Sequence, residues 1–178
     1  RTINPGELFI AIKGINSDGH NFLNEALKKG ASCLLVSSEN FDVKGIDIPV
    51  IKAMDSIKAL TRLAAFHRVR FNTPIIAVTG SNGKTTTKEL IAHCLSSKFK
   101  VLKNHANQNN QFGLSLNILK LNQGHDISVL EIGTNNSGEI GHLSTILKPN
   151  VGVITNIGPS HLEGLKNIQG VFTEKISL

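Results

Sequence analysis

An α/β fold, with a small unit followed by a doubly wound, mostly parallel sheet, is predicted by three features of this 178-residue chain. Short apolar runs alternate with segments of helical spacing, which implies parallel strands joined by right-handed crossovers. The helical pattern stops around Phe71-Asn72-Thr73-Pro74 and a new series of strands begins, so two units are expected, 1–72 and 73–178. At the start of the second unit a glycine-rich segment sits between a strand and a helix, the place where such folds bind ligands.

In the first unit, Leu8-Phe9-Ile10-Ala11-Ile12 reads as a strand, followed by a loop from Gly14 to Gly19. A helix is expected from Asn21 to Lys29, with Gly30 as its stop. Cys33-Leu34-Leu35-Val36 and Pro49-Val50-Ile51 read as strands. The next helix runs over 55–68, capped by Asp55 or Ser56, with Ile57, Leu60, Leu63 and Ala64 at helical spacing. The second unit reads strand 75–79, helix 85–97, strand 99–103, helix 113–121, strand 127–131, helix 138–147, strand 151–155 and a further helix starting near Ile168.

Composition narrows the function. The apolar fraction of 40% suffices for real cores, and no apolar run approaches the roughly 20 residues needed to cross a bilayer. The chain opens Arg1-Thr2-Ile3-Asn4-Pro5 without the apolar segment of a cleavable signal, so a cytoplasmic protein is expected. Cys33 and Cys94 lie far apart without metal-ligand spacing and read as buried thiols. The net charge of +6 comes from scattered lysines with no interleaved aromatic residues, so a nucleic-acid platform is not indicated and anionic small molecules suit the charge.

The chemistry centres on Thr79-Gly80-Ser81-Asn82-Gly83-Lys84-Thr85-Thr86-Thr87. A helix N-terminus presents unpaired N–H groups and partial positive charge, and glycines let backbone close around an anion. Gly80, Ser81, Asn82, Gly83, Lys84, Thr85 and Thr86 are therefore nucleotide-binding candidates. Lys84 would reach the outer phosphates, and the hydroxyl of Thr85 or Thr86 would sit on Mg²⁺. The general motif has glycine where this chain has Val78, so the match is the shortened Gly-x-x-Gly-Lys-Thr.

Glu131 and Thr155-Asn156 end their strands on the same edge as Lys84. Glu131 suits Mg²⁺, which takes one or two carboxylates alongside phosphate oxygens and water, although a capping or solvated glutamate has the same sequence signature. His161 follows another strand end, in Gly158-Pro159-Ser160-His161, and residue type alone leaves a functional and a surface role equally open. The run Asn104-His105-Ala106-Asn107-Gln108-Asn109-Asn110-Gln111 reads either as a polar loop or as amides facing a nucleotide or metal-bound water.

Taken together, the loop 79–86, Glu131-Ile132-Gly133 with Ser137-Gly138-Glu139-Ile140, and Ile154-Thr155-Asn156-Ile157-Gly158 with His161-Leu162-Glu163 resemble the ATP-dependent Mur ligases, across essentially the whole chain. Pro5-Gly6-Glu7-Leu8-Phe9-Ile10-Ala11-Ile12-Lys13-Gly14 with Asp18-Gly19-His20-Asn21-Phe22 is similar to the UDP-sugar-binding domain of the branch that adds D-alanyl-D-alanine. Thr86-Thr87-Lys88-Glu89-Leu90-Ile91 and Asn107-Gln108-Asn109-Asn110 resemble its central domain, with Ala106 and Ser115 standing where that branch usually has glycine and proline.

The resemblance implies an ADP-forming amide ligase of peptidoglycan precursor synthesis. ATP would phosphorylate the terminal carboxylate of a UDP-N-acetylmuramoyl tripeptide, and the amine of D-Ala-D-Ala would attack the acyl phosphate. It further implies that Thr85 and Glu131 hold one Mg²⁺, that His161 holds a second, and that Lys175 is carbamylated and ligates metal. By the same route Lys84, His161 and Lys175 are the catalytic residues, Asn110 joins the nucleotide site, and Ile15, Asn16 and Ser17 contact the UDP substrate. A monomer is expected.

Against the family pattern the chain is expected to lack two residues before Arg1, the end of the central domain and a C-terminal domain, and to have no ligase activity alone. The nearest alternatives are another ligase of the superfamily, such as the third-residue-adding enzyme or folylpolyglutamate synthase. A non-catalytic nucleotide switch would need an Asn-Lys-x-Asp segment, and the chain has none.

Overall fold

The computed structural model describes residues 3–14, 16–37, 45–105 and 108–178. The chain divides into two compact units, Arg1–Leu60 and Thr61–Leu178. The first is a three-stranded parallel sheet of β1 (Leu8–Ile10), β2 (Cys33–Val36) and β3 (Val50–Lys52), in that spatial order. Its core is Ala11, Leu23, Ala26, Ala31, Leu34 and Val36, with Leu23 and Ala26 supplied by helix α1 (Leu23–Lys28).

Two elements of this unit are shorter than the sequence predicts. β1 ends at Ile10 because the carbonyl of Ile12 is taken by the N–H of Gly19, which turns the chain away from the sheet. A Cβ on Gly19 would meet the Ile12 nitrogen at 2.6 Å, so this approach requires glycine. The helix expected from Asn21 begins as a 3₁₀ turn over Gly19–Phe22, because the Asp18 carboxylate accepts from His20 N–H at 2.9 Å and tightens the first turn. Gly30, at φ +84°, ends α1 as expected.

Helix α2 (Ser56–Arg68) starts in the first compact unit and finishes in the second. Its last turns explain this: Ala64 belongs to the second unit's core, and the Arg68 Nε donates to Leu147 O at 2.8 Å. Leu63, placed on the same face by its spacing, is partly exposed. Asp55 is the cap, its Oδ1 accepting from Ile57 N–H at 2.8 Å and Lys58 N–H at 2.9 Å. Asp55→Ala is expected to lower stability by about 1 kcal/mol in urea denaturation, the usual worth of an N-cap carboxylate.

The second unit is a four-stranded parallel sheet in the order β5 (Val101–Lys103), β6 (Ile127–Glu131), β4 (Ile75–Thr79), β7 (Val151–Ile154). Alternation along β4 sends Ile75 and Ala77 to one face. There they pack with Leu114 and Ile118 of α4 (Gln111–Ile118) and Ile140, Leu143 and Leu147 of α5 (Glu139–Leu147). Val78 goes to the other face, against Ala92 of α3 (Lys84–Leu95) and Val129. Helices therefore cover both faces, as a doubly wound sheet requires. Parallel register aligns Val78 with both Glu131 and Val153, so β4, β6 and β7 end along one edge.

Candidate nucleotide and metal site

The loop after β4 is shaped by its neighbour after β7. Ser81 N–H donates to Asn156 O at 3.1 Å, Asn82 N–H donates to Asn156 Oδ1 at 2.9 Å, and Thr155 Oγ1 donates to Asn82 O at 2.5 Å. The Ser81 hydroxyl donates to Gly158 O at 2.7 Å and accepts from Gly158 N–H at 2.9 Å and from Ser160 Oγ at 3.0 Å. Gly80, at φ +151°, passes so close that an added Cβ would lie 1.9 Å from Thr155 Oγ1. Ser81 and Asn82, expected to face a nucleotide, thus spend these groups tying the two loops together.

The free donors lie one step further along. Gly83, at φ +76°, opens α3, and the first helical bond goes from Thr87 N–H to Gly83 O at 2.9 Å. The N–H groups of Gly83, Lys84, Thr85 and Thr86 therefore have no partner among the described residues. The Lys84 ammonium folds over this opening and donates to Gly80 O at 2.7 Å and Ser81 O at 3.2 Å. Four converging N–H groups, a helix dipole and an ammonium make a cradle that fits phosphate.

Beside it, Thr85 Oγ1 donates to Glu131 Oε2 at 2.6 Å, and Asn109 Nδ2 donates to Glu131 Oε1 at 2.8 Å. Glu131 is only 2% exposed, so its charge is directed at these two partners and at the mouth of α3. A hydroxyl and a carboxylate in contact next to a phosphate cradle suit Mg²⁺, which uses few protein oxygens and completes its shell with phosphate and water. Among the described residues no three His, Cys, Asp or Glu side chains form a metal centre by themselves, so any ion here would draw ligands from elsewhere.

Of the other expected residues, Asn110 caps α4, its Oδ1 accepting from Gly113 N–H at 2.9 Å, and Asn109 is the amide that meets the carboxylate. His161 directly follows Ser160 and its bond to the phosphate loop; its side chain is exposed and its backbone is left-handed, φ 51° and ψ 38°. It begins the short helix α6 (Leu162–Leu165), which the sequence did not signal. Gly164 in that helix lies so near the loop after β6 that a Cβ would stand 2.0 Å from Asn135 O. Gly164→Ala is expected to push α6 and His161 off their seat, lowering stability by about 1–3 kcal/mol in thermal melts.

Lys175 ends α7 (Ile168–Lys175) and is 1% exposed, with no hydrogen bond from its amine among the described residues. Burial first, then the Lys84 charge, holds its pKa below the ordinary lysine value, with Glu174 opposing. Lys84 and Lys175 thus share one electrostatic field. Glu174 was not anticipated: its buried carboxylate accepts from Gly138 N–H at 2.5 Å and Ile140 N–H at 2.7 Å, clamping α7 to the start of α5. In the first unit Asn16 and Ser17 are exposed in a turn closed by Gly14 N–H to Ser17 O at 2.8 Å, while Ile15 lies outside the described residues. A surface cavity of about 430 Å³ lined by Arg70, Phe71, Asn122, Gln123 and Gly124 lies before β4 and β6, away from the phosphate loop.

The profile described as Mur ligase middle domain matches residues 78–178, and that described as Mur ligase family, catalytic domain, matches residues 1–68. The UDP-N-acetylmuramoyl-tripeptide--D-alanyl-D-alanine ligase of Buchnera aphidicola subsp. Baizongia pistaciae is 39% identical, over 98% of this chain and 38% of the relative. The protein of that name from Bacillus subtilis is 37% identical, over 100% of this chain and 39% of the relative.

Among solved structures, MurF from Acinetobacter baumannii has a TM-score of 0.90 at 34% identity, over 98% of this chain and 38% of the other. MurF ligase from Thermotoga maritima in complex with ADP gives 0.88 at 34% identity, over 98% of this chain and 40% of the other. The chain spans about two fifths of the length of the relatives it matches.

Proposed function

Since the chain belongs to the Mur ligase family, we propose that it forms the phosphate-handling part of a cytoplasmic, monomeric, ADP-forming ligase that joins D-alanyl-D-alanine to UDP-N-acetylmuramoyl-tripeptide. The observation that carries this reading is the pairing of four free N–H groups and Lys84 with the Thr85–Glu131 contact at one strand edge. ATP supplies the phosphoryl group that activates the tripeptide carboxylate for attack by the dipeptide amine.

Each residue then has a physical task. The N–H groups of Gly83, Lys84, Thr85 and Thr86 orient the phosphates, and Lys84 exchanges the carbonyls of Gly80 and Ser81 for phosphate oxygens. Two anions, the outer phosphate and the substrate carboxylate, repel each other, and Lys84 lowers that repulsion where charge develops. Thr85 and Glu131 would hold a Mg²⁺ that adds to this neutralisation, and His161 with a carbamylated Lys175 would hold a second. Asn110 flanks the nucleotide site through its capping loop, and Ile15, Asn16 and Ser17 would meet the UDP moiety.

Phosphate release by the protein expressed from its full reading frame tests the assignment. Release that requires ATP, UDP-muramoyl tripeptide and D-Ala-D-Ala together is expected. Release with UDP-muramoyl dipeptide and a diamino acid, and none with the first set, would assign the chain to the third-residue-adding branch instead.

A further inference from the structure

We propose that Lys88 is a positioning residue for Glu131, acting through Asn104; this rests on the reading of Thr85 and Glu131 as a Mg²⁺ site. Lys88 is fully buried, and nothing in phosphate handling uses it. Its ammonium donates to Asn104 O at 2.6 Å and pairs with Glu89 Oε1 at 2.8 Å, and Glu89 in turn pairs with Lys103. A buried ammonium is unfavourable unless paired, and a buried ion pair is often no more stabilising than packed apolar residues of similar volume in place of both partners. The charge therefore points to a task other than stability.

The task is visible in what Lys88 grips. Asn104 is also fully buried, and its side chain stands in for the strand that β5 no longer provides. Its Oδ1 accepts from Glu131 N–H at 2.8 Å, and its Nδ2 donates to Glu131 O at 3.0 Å and to Gln108 O at 2.9 Å. Asn109 meets the same residue. Asn109 donates to the Glu131 carboxylate, and Asn109 O accepts from Gly133 N–H at 2.8 Å.

Glu131 is thus bracketed, its backbone by Asn104 and its carboxylate by Asn109 and Thr85. Thr85 and Lys88 are three residues apart, on one face of α3. The helix that presents N–H groups to phosphate therefore also holds both ends of the bracket, and Lys88 fixes the carboxylate relative to the phosphate cradle.

Calorimetric titration of ADP into the full-length protein, with and without MgCl₂, tests this. In Lys88→Met the Mg²⁺ concentration for half-maximal effect on ADP binding is expected to rise about tenfold, as for loss of a residue supporting a ligand. ADP affinity without metal should stay unchanged, and amide hydrogen exchange at Glu131 should quicken in the metal-free protein. Should Lys88→Met not fold, Lys88→Gln carries the same measurement, with a smaller shift in the same direction.

An unchanged Mg²⁺ dependence in the Lys88 variant, when Glu131→Gln raises it, overturns the positioning role alone. Equal losses with and without metal also overturn it, because they mark general loosening of the domain. No shift in Glu131→Gln overturns the metal site itself, and the inference with it.

Discussion

Replacing Lys84 with methionine is expected to lower ATP-dependent phosphate release by the full-length protein about a thousandfold, the scale of losing one preorganised charge at a reacting phosphoryl group. The expectation follows from where the ammonium already is. It lies over the opening of α3, held among the described residues by the carbonyls of Gly80 and Ser81, so a phosphate can take it over with little rearrangement. Methionine keeps the length of the stem and removes the charge. Binding of the UDP substrate should persist, because that moiety is proposed to meet Asn16 and Ser17. Steady-state rates with separate UDP-substrate binding measure both, and undiminished turnover in this variant would remove Lys84 from the mechanism.

The second large effect is expected at Lys175. Burial and the Lys84 charge hold its pKa below the ordinary lysine value, so more of the amine is neutral near pH 7. A neutral amine can add to CO₂: the N–C bond forms, a proton leaves, and the cation becomes an anion able to ligate Mg²⁺. Lys175→Met is expected to lose on the order of a hundredfold in turnover, a loss comparable to removing an electrostatic stabiliser. ¹³C-bicarbonate should give a carbamate carbon resonance in the parent protein and none in the variant.

The sign of the pH dependence follows from the same lowered pKa. Between the folded and unfolded values the unfolded chain binds more protons, so stability rises with pH across that window. The burial penalty is present in full below the folded value. Carbamate formation should rise with pH over the same range as neutral amine accumulates. A carbamate signal that survives in Lys175→Met would contradict the assignment.

Much of this was legible in the sequence because the signals are local. The phosphate loop needs glycine, lysine and threonine at adjacent positions between a strand and a helix, and Glu131 stands out simply by ending a strand on the same edge. Asn156 and Ser81 were less legible, since their bonds join residues more than seventy positions apart and involve backbone atoms that any sequence supplies. Within the asparagine-rich run, composition does not say which amide caps a helix and which meets a carboxylate; the start of α4 at Gln111 decides that Asn110 caps and Asn109 reaches Glu131.

No sequence signal marks Lys88 or Glu174, and only packing shows that both are buried. Nor does periodicity show that α2 belongs to two units, because Leu60 and Ala64 continue one helical face across the division after Leu60.

A crystal structure of the chain with Mg²⁺ and a non-hydrolysable ATP analogue tests the central claim most directly. The outer phosphates should lie on the N–H groups of Gly83 to Thr86, within hydrogen-bond reach of the Lys84 ammonium. Mg²⁺ should sit about 2.1 Å from Thr85 Oγ1 or a Glu131 oxygen, the usual coordination distance for this ion. A triphosphate bound away from α3, or a metal ion with neither Thr85 nor Glu131 in its shell, would contradict it.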